Sequence, residues 1–201
     1  LDAQHRDQEV VYAHHRRLTY RTLRERIARA ANVLDSLGVG AGDTVAVFDW
    51  DSHRYLECLF AVPMLGAVLH TVNIRLSPEQ ILYTMNHAAD KVVLVHQDFL
   101  PLLETIADRA QTVATWVLLS DDAADVESPV PLAGEYETLL EVASDSRSFL
   151  DFDENTRATT FYTTGTTGDP KGVCFSHRQL VIHTLGLTAA LASAASQGCF
   201  H

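Results

Sequence analysis

Between residues 44 and 119 the chain repeats one pattern, a short apolar run followed by a segment long enough for a helix. The runs are Thr44-Val45-Ala46-Val47-Phe48, Ala67-Val68-Leu69, Val92-Val93-Leu94-Val95 and Trp116-Val117-Leu118-Leu119. Apolar residues at consecutive positions suit strands covered on both faces, the condition of a parallel sheet. Crossovers of this length join parallel neighbours through right-handed βαβ connections. The expected fold is α/β, layered helix-sheet-helix with mostly parallel βαβ units.

Before this repeat, Val10-Val11-Tyr12 and Arg17-Leu18-Thr19-Tyr20 predict two short strands around His14-His15. A helix over about 20–37 follows, with Leu23, Ile27, Ala31 and Leu34 at helical spacing, Thr22 with Glu25 as a capping box and Gly38 as a left-handed stop. Ser77-Pro78-Glu79-Gln80 announces another helix, with Ser as N-cap, Pro at the first helical position and Gln as the capping-box partner. Its buried face is expected at Ile81, Leu82, Met85 and Ala89. The acidic passage from Ser120 to Pro131 reads as a solvated surface loop, because its carboxylates lack the alternating spacing and turn glycine of a calcium loop. A short helix around Tyr136 to Val142 comes next, then a strand at Ala158-Thr159-Thr160-Phe161-Tyr162.

Composition narrows the function classes. With 47% hydrophobic and 20% charged residues the chain is globular, and at this size it buries roughly 70% of its unfolded surface. Its formal charge of −11, with basic residues scattered, argues against a nucleic-acid partner. Cys58, Cys174 and Cys199 lie far apart without a Cys-x-x-Cys, which suggests neither a disulfide framework nor a zinc cluster and fits a reducing cytoplasm. The uncharged stretch from Gln179 to Phe200 carries Gln, His and several Ser and Thr, so a buried or surface-packed helix is expected rather than a membrane span. No signal-peptide pattern and no initiating Met stand at Leu1, which leads us to expect that the natural N-terminus lies elsewhere.

The chemistry concentrates after the strand ending at Tyr162. The stretch Thr163-Thr164-Gly165-Thr166-Thr167-Gly168-Asp169-Pro170-Lys171-Gly172 leads into a second strand, Gly172-Val173-Cys174-Phe175. Glycines let backbone N–H groups approach an anion, hydroxyls donate further hydrogen bonds, and a lysine adds a point charge. Each hydrogen bond to a charged oxygen contributes on the order of 1.5–3 kcal/mol, so several together position a triphosphate. A Walker loop is excluded on both sides of the lysine, because Pro170 precedes it and Gly172 follows where Ser or Thr and a helix start are required.

From Tyr162 to Val173 the chain resembles, nearly position for position, the signature loop of the adenylate-forming enzymes, which include acyl-CoA synthetases, luciferases and peptide-synthetase adenylation domains. Thr164 stands where many members have Ser and keeps the hydroxyl. Further similarity lies at Leu18-Thr19-Tyr20, Leu37-Gly38-Val39, Gly42 to Ala46, Asn73 to Ser77 and Ser176-His177-Arg178, while Gly66 to Thr71 and Asn86 to Val92 look most like fatty-acid CoA ligases. The resemblance implies the N-terminal part of a large adenylation domain, with 1–150 an N-terminal α/β subdomain and 151–201 the start of a second that carries the ATP-phosphate loop. It also implies a two-step reaction, in which a carboxylate attacks the α-phosphate of Mg·ATP, pyrophosphate leaves, and CoA takes the acyl group.

By the same resemblance, Thr163, Thr164, Gly165, Thr166, Thr167, Gly168 and Lys171 contact the β- and γ-phosphates, Lys171 is catalytic, and Thr163 touches Mg2+. The implied partners are ATP, a fatty acid and CoA, and dimers are common among such members. The chain stops at His201, before the positions at which members bind adenine, ribose, a magnesium-holding glutamate, the acyl group and a C-terminal catalytic lysine, so we expect a fragment that is inactive alone. Two alternatives stay open: an adenylation domain loading an amino or aryl acid onto a carrier protein, and a non-catalytic nucleotide-binding or assembly module.

Other motifs promise less. Gly38-Val39-Gly40-Ala41-Gly42-Asp43 begins like a dinucleotide fingerprint but runs from helix to strand, the wrong order. Ser176 with Gln179 reads as a helix-capping box, not as a nucleophile beside its base. The histidines, among them His53, His70, His87 and His96, show no ligand spacing and are expected on the surface or at the core edge.

Overall fold

The computed structural model describes residues 7–12, 16–121, 126–163 and 168–196. Two short strands, β1 (Glu9–Tyr12) and β2 (Arg16–Thr19), pair antiparallel as a sheet of their own. The main sheet has seven strands: β3 (Thr44–Phe48), β4 (Val68–Thr71), β5 (Asp90–His96), β6 (Thr115–Leu119), β7 (Leu132–Glu135), β8 (Arg157–Thr163) and β9 (Lys171–Ser176), in the order β7-β6-β5-β3-β4-β8-β9. Every neighbouring pair is parallel except β8 with β9.

Strand alternation sorts the apolar runs into two cores, since successive side chains point to opposite faces. Val45 and Val47 of β3, Val92 and Leu94 of β5, and Val117 and Leu119 of β6 face α1 (Tyr20–Ser36), α2 (His53–Met64) and α5 (Tyr136–Val142). The intervening residues Ala46, Phe48, Val93, Val95, Trp116 and Leu118 face α3 (Pro78–Ala88) and α4 (Leu100–Ile106). The helix-sheet-helix layering expected from the runs is the observed architecture.

Local chemistry sets most helix ends, with two departures from expectation. Ser77 and Gln80 form the foreseen capping box with Pro78 in the first turn, and Gly38 takes φ 82 at the end of α1. The N-cap of α1, however, is Thr19, which accepts a 3.1 Å hydrogen bond from the Thr22 amide. Thr19 is the last, extended residue of β2, the conformation an N-cap needs, whereas Thr22 already lies inside the helix. Ala89 is exposed rather than buried and adopts the left-handed conformation, because the chain must leave α3 and enter β5 at once.

Two features of the outer sheet were not foreseen. β7 arises from Leu132-Ala133-Gly134-Glu135, which has little strand propensity of its own and pairs with the edge of β6. The final helix, α6 (His177–Ser196), is neither buried nor packed over its described apolar residues: Val181 is 57% and Leu185 64% exposed. Its apolar residues spread around the helix, so no single face turns toward the sheet. Among the described residues, no helix is long and apolar enough to cross a membrane.

Candidate phosphate-loop site

The site begins with β8, whose sequence Arg-Ala-Thr-Thr-Phe-Tyr-Thr alternates cleanly, with Ala158, Thr160 and Tyr162 buried and Thr163 exposed at the end. β-Branched and aromatic residues favour such a pleated, half-covered strand. β9 returns beside it with Tyr162 opposite Gly172 and Thr163 opposite Lys171. Residues directly opposite on antiparallel strands hold their Cβ atoms about 4.5–5.5 Å apart. The hydroxyl and the ammonium predicted at the two ends of the loop are thereby brought together at the mouth of one hairpin.

Between them, Gly168 has φ 95, a backbone that only glycine adopts without strain. Asp169 is exposed and Pro170 buried. Thr164, Gly165, Thr166 and Thr167, expected to touch phosphate, lie outside the described residues. Lys171 is exposed, and among the described residues no carboxylate pairs with it. For magnesium, Thr163 offers one hard oxygen. A lone hydroxyl suits an ion held mainly by phosphate oxygens and water.

The hairpin mouth lies at the carboxyl ends of the parallel strands, where ligands bind in sheets of this kind. Strand order itself reverses between β3 and β5, and there the chain's own side chains meet one another. Phe48 stacks on Phe99 at 4.5 Å and Trp50 Nε1 donates to Asp98 at 2.8 Å. Arg54 beside them donates to Asp121 at 2.7 Å, tying down the first carboxylate of the acidic passage that sequence alone reads as solvated. Burial opposes the charge on Asp121, but the hydrogen bond and charge of Arg54, with the contribution of His96, together outweigh it and lower the carboxyl pKa.

Below the loop stands a group of polar side chains that sequence reasoning passed over. Tyr162 is 5% exposed, and its hydroxyl lies 2.7 Å from His87 Nδ1. The His70 and Tyr162 rings meet at 61° with their centroids 5.2 Å apart, and His70 Nδ1 pairs with both oxygens of Asp90 at 2.8 and 3.0 Å. Burial, with the Asp90 charge second, pushes the Tyr162 phenol up to about 12. His53, His70 and His96 are 4%, 1% and 2% exposed, so these three belong to the interior and not to the surface or core edge. The signal available in the sequence was a polar residue inside an apolar run, as at His70 between Leu69 and Thr71.

The weaker motifs resolve as structure. Lys91 Nζ binds the Gly38 carbonyl and Asp43, both at 2.7 Å, which makes the glycine-rich segment after α1 a locked turn. Ser176 and Gln179 exchange hydrogen bonds at the start of α6 as a capping box.

Residues 2–197 match the AMP-binding enzyme family. A long-chain-fatty-acid–CoA ligase of Thermus thermophilus is 42% identical over 90% of this chain and 32% of its own length. A medium-chain-fatty-acid–CoA ligase of Ectopseudomonas oleovorans is 39% identical over 80% of the chain and 29% of its own length. The crystal structure of ATP-bound MatB from Rhodopseudomonas palustris superposes with a TM-score of 0.74 at 25% identity, over 88% of this chain and 33% of that one. The chain thus spans about a third of the length of the relatives it matches. With a match that runs through both cores and the glycine-threonine loop, the chain belongs to the AMP-binding enzyme family.

Proposed function

We propose that the whole protein is an ATP-dependent, AMP-forming acid–CoA ligase that activates medium- or long-chain fatty acids through an acyl-adenylate. The observation that carries this reading is the pairing of Thr163 with Lys171 at the hairpin mouth, on either side of a loop of glycines and threonines. Such a mouth suits the β- and γ-phosphates of ATP: Lys171 meets charge that grows on pyrophosphate as it departs, and the threonine hydroxyls and glycine amides donate around it. Thr163 would be the chain's contact to Mg2+, which would supply further positive charge to the phosphates.

Relatives named as long-chain and medium-chain ligases support the choice of acid, and an ATP-bound relative of the same fold supports the nucleotide. On this reading residues 1–150 form the N-terminal subdomain and 151–201 open the next, whose first strands, β8 and β9, sit at the edge of the same sheet. Residues 1–201 alone leave the reactants unoriented and form no adenylate. The setting is a reducing cytoplasm, and a homodimer is the proposed assembly.

The test supplies octanoate, palmitate, benzoate or an amino acid to the whole protein and follows pyrophosphate release with and without CoA. Release confined to the fatty acids, with a CoA thioester as product, supports the proposal. Release confined to an amino acid, with transfer to a carrier protein, replaces it.

A further inference from the structure

We propose that Tyr162 and His87 are positioning residues for the phosphate loop, acting through one hydrogen bond and one ring contact on the strand ends that carry Thr163 and Lys171. The inference rests on the phosphate-loop reading above and adds to it residues outside the signature stretch's hydroxyls and lysine.

The tyrosine ring is held by three elements at once. On α3, His87 Nδ1 lies 2.7 Å from the phenol oxygen, and the two rings meet edge to face at 88°. On β4, His70 stands against the ring, itself fixed by the buried carboxylate of Asp90. On β9, a Cβ placed on Gly172 would lie 3.3 Å from Tyr162 Cε1 and 3.4 Å from Cζ, so the ring lies directly over the glycine backbone. Burial keeps the phenol protonated; in the proposed arrangement it donates to His87 Nδ1, with the imidazole proton on Nε2.

The covalent neighbours give this ring its leverage. Tyr162 precedes Thr163, and Gly172 follows Lys171, while the two pairs lie opposite one another in the ladder. Releasing the phenol from His87 frees the ring to turn, and the ring turns only if the β9 backbone beneath it shifts. On the opposite face Phe161 stacks on Phe175 at 5.7 Å, so the hairpin is gripped from both sides and its mouth inherits the position of the Tyr162 ring. Reacting groups misplaced by about 1 Å lose on the order of 100-fold in rate. Loss of one anchoring hydrogen bond, with the ring still present, is a smaller displacement.

The experiment measures fatty-acid-dependent pyrophosphate release by the whole protein, per folded molecule, for Tyr162→Phe, His87→Ala, the double variant and His87→Asn. Lys171→Ala is measured alongside. Tyr162→Phe and His87→Ala are each expected to lower kcat about tenfold with KM for the fatty acid unchanged. The double variant is expected to be no slower than either single one, and His87→Asn, whose amide oxygen replaces Nδ1 as acceptor, to recover most of the rate. A purely structural role moves the urea midpoint and leaves kcat per folded molecule alone. That result overturns the proposal, as do additive losses in the double variant or no recovery in His87→Asn. If Lys171→Ala is slow while both single variants stay within twofold of the parent, the positioning role fails and the phosphate-loop reading stands. If Lys171→Ala is not slow, that reading fails first and takes the proposal with it.

Discussion

His70 on β4 and Asp90 on β5 meet at 2.8 Å across the intervening strand β3, both sealed from solvent. The residue of β3 opposite His70 is Ala46, whose small side chain leaves room for the pair. Removing one partner strands a buried charge or polar atom. We expect His70→Ala to destabilise the fold by about 3–5 kcal/mol, and joint replacement of both by apolar residues to cost less than that. Urea unfolding measures both, and a loss below about 1 kcal/mol for His70→Ala would show that the pair contributes little.

Acid stability should depend on Glu137. Burial opposes its charge, but hydrogen bonds from His53 at 3.0 Å and Arg26 at 2.8 Å, with the charges of Arg26 and Arg16, hold its carboxyl well below the usual range. The unfolded chain therefore takes up this proton first, at about pH 4.3. The contribution is complete above that pH and is lost as pH falls toward the folded-state pKa. Unfolding free energies of parent and Glu137→Gln should differ most near neutrality and converge in acid. Parallel curves would remove Glu137 from the acid response.

The cysteines should react very unequally. Cys58 is fully buried in the core beside Glu57, and burial pushes its thiol far up, whereas Cys174 is exposed on β9. Since the thiolate is the reactive form, brief alkylation of the native protein followed by peptide mapping should label Cys174 and spare Cys58 until denaturant is added. Equal labelling of the two in the native state would mean that α2 does not pack as described.

Capping chemistry and two-faced apolar runs were legible because each is local. Ser77, Pro78 and Gln80 lie within one turn, and β3, β5 and β6 declare themselves by consecutive apolar residues. Thr163 and Lys171 were legible as loop ends for the same reason. What escaped was set by partners far along the chain. Tyr162 and His87 are 75 residues apart and Arg26 and Glu137 are 111 apart, so no spacing rule connects them. β7 escaped because the edge of β6, rather than its own residues, makes it a strand, and the exposure of α6 because an apolar composition does not say what covers it.

The central claim is that Lys171 acts on the departing phosphates, and the most direct measurement is the rate of fatty-acid-dependent pyrophosphate release by the whole protein carrying Lys171→Ala. We expect a fall of about 100-fold or more in kcat, of the size seen when one preorganised donor to developing charge is removed, with KM for the fatty acid unchanged because the proposed role sets the lysine against phosphate and not the acyl group. A rate within twofold of the parent, at saturating ATP and acid, would contradict the account and take Lys171 out of the chemistry.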